Sequence, residues 1–167
     1  MIRADHLLDL AREEAGSQAI GAPRQAVLRR SVSTAYYALF HELLSTVATS
    51  FVPANQWKSR VLFYRALDHG RTRDRCKRLG KDPLPDEERA FFEIQSFPRD
   101  IRFFANEFVR LQELRHQSDY DPDTRLARQE VQDAIDGAEQ AIGTLRAAGN
   151  DIFLLPFLSY VLFGLRR

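Results

Sequence analysis

A chain of 167 residues and 19.2 kDa fits one domain. Lys and Arg total 24 and Asp and Glu total 23, a net charge of +1, which excludes a generally basic nucleic-acid binder and an acidic tail protein. Hydrophobic residues at 44% exclude a disordered chain, and eight Gly with seven Pro are too few for a sandwich of many tight turns.

Taken in chain order, nearly every periodic stretch predicts helix. The first runs from about Ile2 to Ala15, with Leu7, Leu8, Leu10 and Ala11 inward and Gly16 placed to stop it. No basic region followed by an apolar run opens the chain, so no signal peptide is expected. Gly21-Ala22-Pro23 predicts a break. The central helix comes next, from about Arg24 to Thr49. Val32, Ala35, Tyr36, Leu39, Phe40, Leu43 and Val47 recur at helical spacing, and Tyr37, Ala38 and Leu44 widen the apolar face. A helix apolar over so much of its girth is packed on more than one side. The 12 Phe and 5 Tyr predict an aromatic-rich core.

Phe51 to Asn55 ends that helix, and Trp57 to Asp68 predicts a shorter third one. His69 to Pro85 reads as irregular. Lys58 to Lys81 holds nine basic residues against Asp68 and Asp74, a local charge of +7, and acidic Asp86-Glu87-Glu88 comes after it. This basic stretch is either a solvated face or a phosphate footprint made by Lys58, Arg60, Arg71, Arg73, Arg75, Lys77 and Arg78. Trp57, Phe63 and Tyr64 add base stacking if they are exposed, although helical spacing puts Phe63 and Tyr64 in the core. The lone cysteine, Cys76, closes no intrachain disulfide and suits a reducing cytoplasm.

Asp86 to Ser96 reads as another helical piece ended by Pro98. From about Asp100 a long helix carries Ile101, Phe104, Phe108 and Leu111 on one stripe. Asp121-Pro122-Asp123 breaks it, and either aspartate can cap the next helix. The last long helix spaces Ala127, Val131, Ala134, Ala138, Ala141, Leu145 and Ala148 by fours and threes, a pattern for close helix packing, and ends at Gly149-Asn150. Ile152 to Leu165 is strongly apolar but short for a membrane span and contains Pro156, so it reads as a buried terminal segment or an oligomer contact.

The chemistry concentrates where the stripe of the long helix continues into Arg115, with Asp119 one turn on. An arginine there needs a partner. Either it forms an ion pair with Asp119 or with a carboxylate of a neighbouring helix such as Glu42, or it is held ready to grip a phosphate. His116 and Tyr120 complete a polar cluster at the helix end. His41 reads as a core or surface histidine, and His6 and His69 have no visible companions. No metal-ligand spacing and no phosphate-binding glycine loop is present, so no cofactor is expected.

Two stretches are familiar. Ser31-Val32-Ser33-Thr34-Ala35-Tyr36-Tyr37-Ala38-Leu39-Phe40-His41 resembles the second helix of prokaryotic HEPN-domain proteins. Leu114-Arg115-His116-Gln117-Ser118-Asp119-Tyr120-Asp121 resembles the turn such proteins carry about eighty residues later. The resemblance covers roughly Ile2 to Ala148. It implies an all-α, up-and-down bundle of four to five main helices, usually a symmetric dimer. It also implies the metal-independent endoribonucleases of toxin–antitoxin and other defence systems, in which an Arg and a His with four to six residues between them act at the dimer cleft. Here the position five residues after Arg115 holds Tyr120, and the formal spacing is met only by Arg110 and His116. Tyrosine, titrating near 10, is a weak general base at neutral pH but a good hydrogen-bond donor.

Two functions are consistent with this pattern. One is an RNA-directed protein in which Arg115 binds phosphate, Asp119 orients it, and His116 and Tyr120 move protons or donate hydrogen bonds. The other is a non-catalytic dimeric module that binds a nucleotide or a protein partner, such as a cognate antitoxin or a nucleotidyltransferase-like subunit.

Overall fold

A computed structural model describes residues 2–16 and 24–165. The expected break at Gly21-Ala22-Pro23 lies outside the described residues. Among these, eight α-helices form in order: α1 (Ala4–Gly16), α2 (Gln25–Phe51), α3 (Trp57–Tyr64), α4 (His69–Leu79), α5 (Asp86–Phe92), α6 (Arg99–Tyr120), α7 (Arg128–Ala147) and, after the short turn Ala148–Asn150, α8 (Leu154–Phe163).

The fold is the all-α bundle expected. α2 packs against α1, α6 and α7, and α1 also meets α7. Polar pairs fix the directions. Ser33 meets Asp119 and Tyr37 meets Arg115, so α6 runs antiparallel to α2. Gln25 pairs with Leu126 and Glu42 with Arg146, so α7 runs parallel to α2. Arg12 meets Glu139 and Asp5 meets Arg146, which turns α1 against α7. The four helices therefore alternate in direction.

α2 is the hub because it is apolar on most sides: Val32, Ala35, Tyr36, Ala38, Leu39, Leu43 and Val47 are fully buried. On α7 the stripe Val131, Ala134, Ala138, Ala141 and Leu145 is buried within the same chain, so it offers nothing to a second copy. Ala127 falls off that stripe. It is exposed at the helix start, where its N–H donates to Glu130 at 2.7 Å, and Leu126 is buried in its place. In α1 the inward residues are Ala4, Leu8, Ala11 and Ala15, which turns Leu10, expected inward, out to solvent at 40% exposure.

The largest correction is α4, because His69 to Leu79 is a regular helix and not an irregular stretch. Asp68 caps it by accepting the Arg71 N–H at 2.9 Å. Thr72, Cys76 and Leu79 form a narrow buried stripe, and Lys77 and Arg78 sit in the last turn, where cations suit the helix dipole. Burial among apolar groups pushes the Cys76 thiol well up, away from reactivity. The third helix ends early, at Tyr64, and buries no residue fully. The fifth ends at Phe92 rather than Ser96.

The apolar C-terminal segment becomes α8, which docks on α4 and buries Leu154, Phe157, Leu158, Tyr160, Val161 and Leu162. Pro156 sits in its first turn, where a backbone N–H has no helical acceptor to lose. Among the described residues no helix is long and apolar enough to cross a membrane. The docking is ionic as well as apolar. Glu88 is fully buried, accepts Arg78 Nη2 at 2.7 Å and a short bond from Arg78 Nε, and accepts the Tyr160 hydroxyl. Arg75 donates to the carbonyls of Val161 and Leu162 at 2.7 and 2.8 Å.

Burial opposes ionisation of Glu88, but Arg78 and Tyr160 outweigh it and hold the carboxyl below the usual carboxylate range, while Tyr160 is pushed up to about 12 by burial and by Glu88. A depressed folded-state pKa stabilises the fold above the unfolded value and is lost as pH falls through the folded one. Arg78→Ala leaves a buried carboxylate short of its cation and is expected to cost about 2–4 kcal/mol at neutral pH. Urea denaturation at pH 7 and pH 3 checks this: the gap between variant and parent should shrink in acid, and an equal gap at both would contradict it.

Candidate functional site

The site is built where the last turns of α6 cross the middle of α2. The stripe Ile101, Phe104, Phe108 and Leu111 keeps α6 against the core, and Arg115 continues it. Two pairs one turn apart interlock across the helices. Ser33 donates to Asp119 Oδ1 at 2.7 Å, and Arg115 Nη2 donates to the Tyr37 hydroxyl at 3.2 Å. Arg115 and Asp119 are themselves one turn apart and pair at 2.7 Å between Nε and Oδ2. Of the two ion-pair partners open from the sequence, Asp119 is the one present. Glu42 instead binds Arg146.

The guanidinium lies between two tyrosine rings, 5.6 Å from the centre of Tyr37 and 5.6 Å from that of Tyr120. Its side chain is 18% exposed. Although the ion-pair distance is short, Nε has no acceptor in line with its N–H, so a buried donor is left over. Burial disfavours the charge, but Asp119, Tyr37 and Tyr120 together outweigh it, so the guanidinium pKa is raised.

His116 and Tyr120 stand outside this pair. Both are exposed, Tyr120 at 66%, and their rings lie 4.9 Å apart. Arg115, His116, Asp119 and Tyr120 are thus brought together, with the arginine inside and the histidine and tyrosine at the rim. Arg110 is directed elsewhere. Glu107 holds its Nε at 2.9 and 3.0 Å, and its Nη2 reaches the Asp133 carbonyl. Gly137 makes room for that pair, since a Cβ there would collide with the Glu107 carboxylate.

Arg29, which no sequence pattern singles out, sets the end of α6. It donates to the carbonyls of Ser118 at 3.2 Å, Pro122 at 3.0 Å and Thr124 at 2.5 Å, supplying a cation to a helix C-terminus and tying down the loop beyond. Asp121 folds that loop on itself by accepting the Asp123 N–H and the Thr124 hydroxyl, and so does not cap α7. Only a tertiary structure reveals Arg29, since its partners lie about ninety residues away.

The seven basic residues expected as a phosphate footprint do not form one surface of free cations. Arg60 donates twice to the Val52 carbonyl at the end of α2. Arg73 pairs with Asp74, and Arg75 and Arg78 hold α8 and α5. Lys58, Arg71 and Lys77 are exposed and have no ion-pair partner among the described residues. The acidic Glu87 and Glu88 meet Arg78, so the +7 stretch is partly neutralised by the segment after it. Trp57 is 65% exposed, while Phe63 and Tyr64 are half-buried, Phe63 stacking on Phe51. Among the described residues no group of three or more His, Cys, Asp or Glu is arranged to hold a metal ion.

No family model, no curated protein and no solved structure matches this chain.

Proposed function

We propose that this is a HEPN-like protein of a prokaryotic defence or toxin–antitoxin module that binds RNA in the cytoplasm and cuts it without a metal. Arg115 grips a backbone phosphate, Asp119 orients the guanidinium, and His116 and Tyr120 donate hydrogen bonds or protons at the rim. The observation that carries this reading is the state of Arg115: fixed by Asp119 and flanked by two tyrosines, with its side chain 18% exposed at the end of α6. A guanidinium fork held this way is complementary to a phosphate. Exposed Tyr120 and His116 rings beside it suit base stacking.

This reading includes a homodimer. The apolar groove of about 400 Å³ lined by Phe91, Pro156 and Phe163, with Leu155 also exposed on α8, supports a homodimer. A second reading, a non-catalytic dimeric module for a nucleotide, a cognate antitoxin or a nucleotidyltransferase-like protein, is favoured by two facts. Tyr120 stands where the family's histidine acts, and Arg115 already has a carboxylate.

The test is a titration of labelled single-stranded RNA with the parent protein in EDTA, read for binding and for cleavage, with sedimentation at micromolar concentration. Binding, slow cleavage and a dimer are expected. Binding without cleavage favours the second reading, and a clean monomer without RNA affinity contradicts both.

A further inference from the structure

We propose that α3 is a membrane-surface anchor, whose outward face, with Ile2 beside it, docks on a bilayer surface of anionic phospholipid headgroups. The assignment is independent of the role given to Arg115. α3 buries no residue fully and packs on α2. Phe63 stacks on Phe51 at 5.8 Å, Arg60 holds the Val52 carbonyl and Tyr64 is half-buried, which fixes the inward side. At about 100° per residue, Trp57, Lys58, Val61 and Leu62 then share roughly 140° of the opposite side.

That side is apolar and open to water. Trp57 is 65% exposed, Leu62 68% and Val61 37%. A groove of about 470 Å³ runs along Trp57, Val61 and Tyr64, and Ile2, itself 54% exposed, lines it too. Single exposed apolar residues are ordinary, whereas a cluster of them marks an interaction site. The charge around the cluster has one sign. From Leu43 to Leu67 the chain has no Asp or Glu and carries Lys58, Arg60 and Arg65. Lys58 and Arg65 are exposed, with no ion-pair partner among the described residues. In the adjoining pocket, which shares Ile2 and His41 with the groove, Asp5 and Glu42 are both taken by Arg146, at 2.9 and 2.8 Å.

This combination selects the occupant. A second copy docked face to face would set these cations against their own image with no carboxylate to answer them. RNA could stack on Trp57, but Ile2, Val61 and Leu62 offer no ring to a base. An anionic bilayer surface matches every part. Tryptophan sits at headgroup level, the aliphatic side chains meet the upper acyl chains, and Lys and Arg reach back to the phosphates. The helix lies on the surface and does not cross it, since its eight residues rise only about 12 Å against a hydrocarbon core of about 30 Å.

Trp57 is the one tryptophan of the chain, so its fluorescence reports the docking directly. The whole chain is mixed with vesicles of phosphatidylcholine alone, or of phosphatidylcholine with an equal part of phosphatidylglycerol, and bound protein is measured by flotation. With the anionic vesicles the expected results are flotation, a blue shift of the Trp57 emission and its quenching by lipids brominated on the acyl chains. Neutral vesicles should give none of these, and high salt should release the protein. Replacing Lys58 and Arg65 together by Gln should weaken binding roughly 30-fold, from about 5-fold for each cation at such a surface. Leu62→Ser should weaken it roughly 10-fold. Circular dichroism melts check that these variants are folded. Arg115→Ala should float as the parent does, so loss of the RNA reading leaves this one standing. No flotation, or equal flotation with both kinds of vesicle, overturns the anchor. An emission shift that grows with protein concentration in the absence of lipid assigns the face to a second copy, and quenching by RNA but not by brominated lipid assigns it to RNA; either result overturns the anchor as well.

Discussion

Arg115→Ala is expected to lower RNA affinity by roughly 10- to 100-fold, the worth of one charge-assisted phosphate contact, and to abolish cleavage. Its effect on stability should be modest, about 1–2 kcal/mol. Asp119 keeps the Ser33 hydroxyl at 2.7 Å and sits at a helix end with its side chain 28% exposed, so it is not stranded in the core. The alternative has a different signature. An arginine that serves only the fold would, on removal, lower the melting temperature sharply and change no RNA property. Arg115→Lys sharpens the comparison, because it keeps the charge and loses the planar fork. Calorimetry and an RNA titration on the same preparations separate the two. Tyr120→Phe is the companion, since it removes the hydroxyl and keeps the ring.

Phe40→Ala should cost about 3–5 kcal/mol, a drop in melting temperature of roughly 6–20 °C for a chain of this size. Phe40 is 6% exposed on the most buried helix, stacked on His69 and within reach of Tyr36 and Phe108. The cavity opens under His69, so the variant should also loosen the start of α4, read as faster amide exchange there. A loss below about 1 kcal/mol would mean that Phe40 is not part of a packed core.

The long helices were legible in the sequence because their signals are long. α2, α6 and α7 repeat apolar residues over about three to six turns, and the stripe on α6 points at Arg115 by spacing alone. α4 was hidden for the opposite reason. Its buried face is only Thr72, Cys76 and Leu79 among eleven mostly charged residues, and Asp68, three residues before Arg71, was the one local sign of a helix start. Charge also misled. The basic stretch looks like a footprint in one dimension, but Arg75 and Arg78 turn inward to carbonyls and to Glu88 that lie at distant or later positions. The ring of residues around Arg115 was half legible: Asp119 and Tyr120 come from helical spacing. In the sequence, Tyr37 reads as part of the α2 apolar face and Ser33 only as part of a motif. Their contacts with Arg115 and Asp119 depend on the antiparallel register of α2 and α6, which no local pattern encodes.

The central claim is that RNA meets this protein at the end of α6. Photo-crosslinking of a single-stranded RNA carrying 4-thiouridine, with peptide mapping of the labelled chain, tests it directly. The expected result is label on the peptide bearing His116 and Tyr120, lost in Arg115→Ala. Label confined to exposed Trp57 on α3, or no label at RNA concentrations that saturate binding, would contradict it.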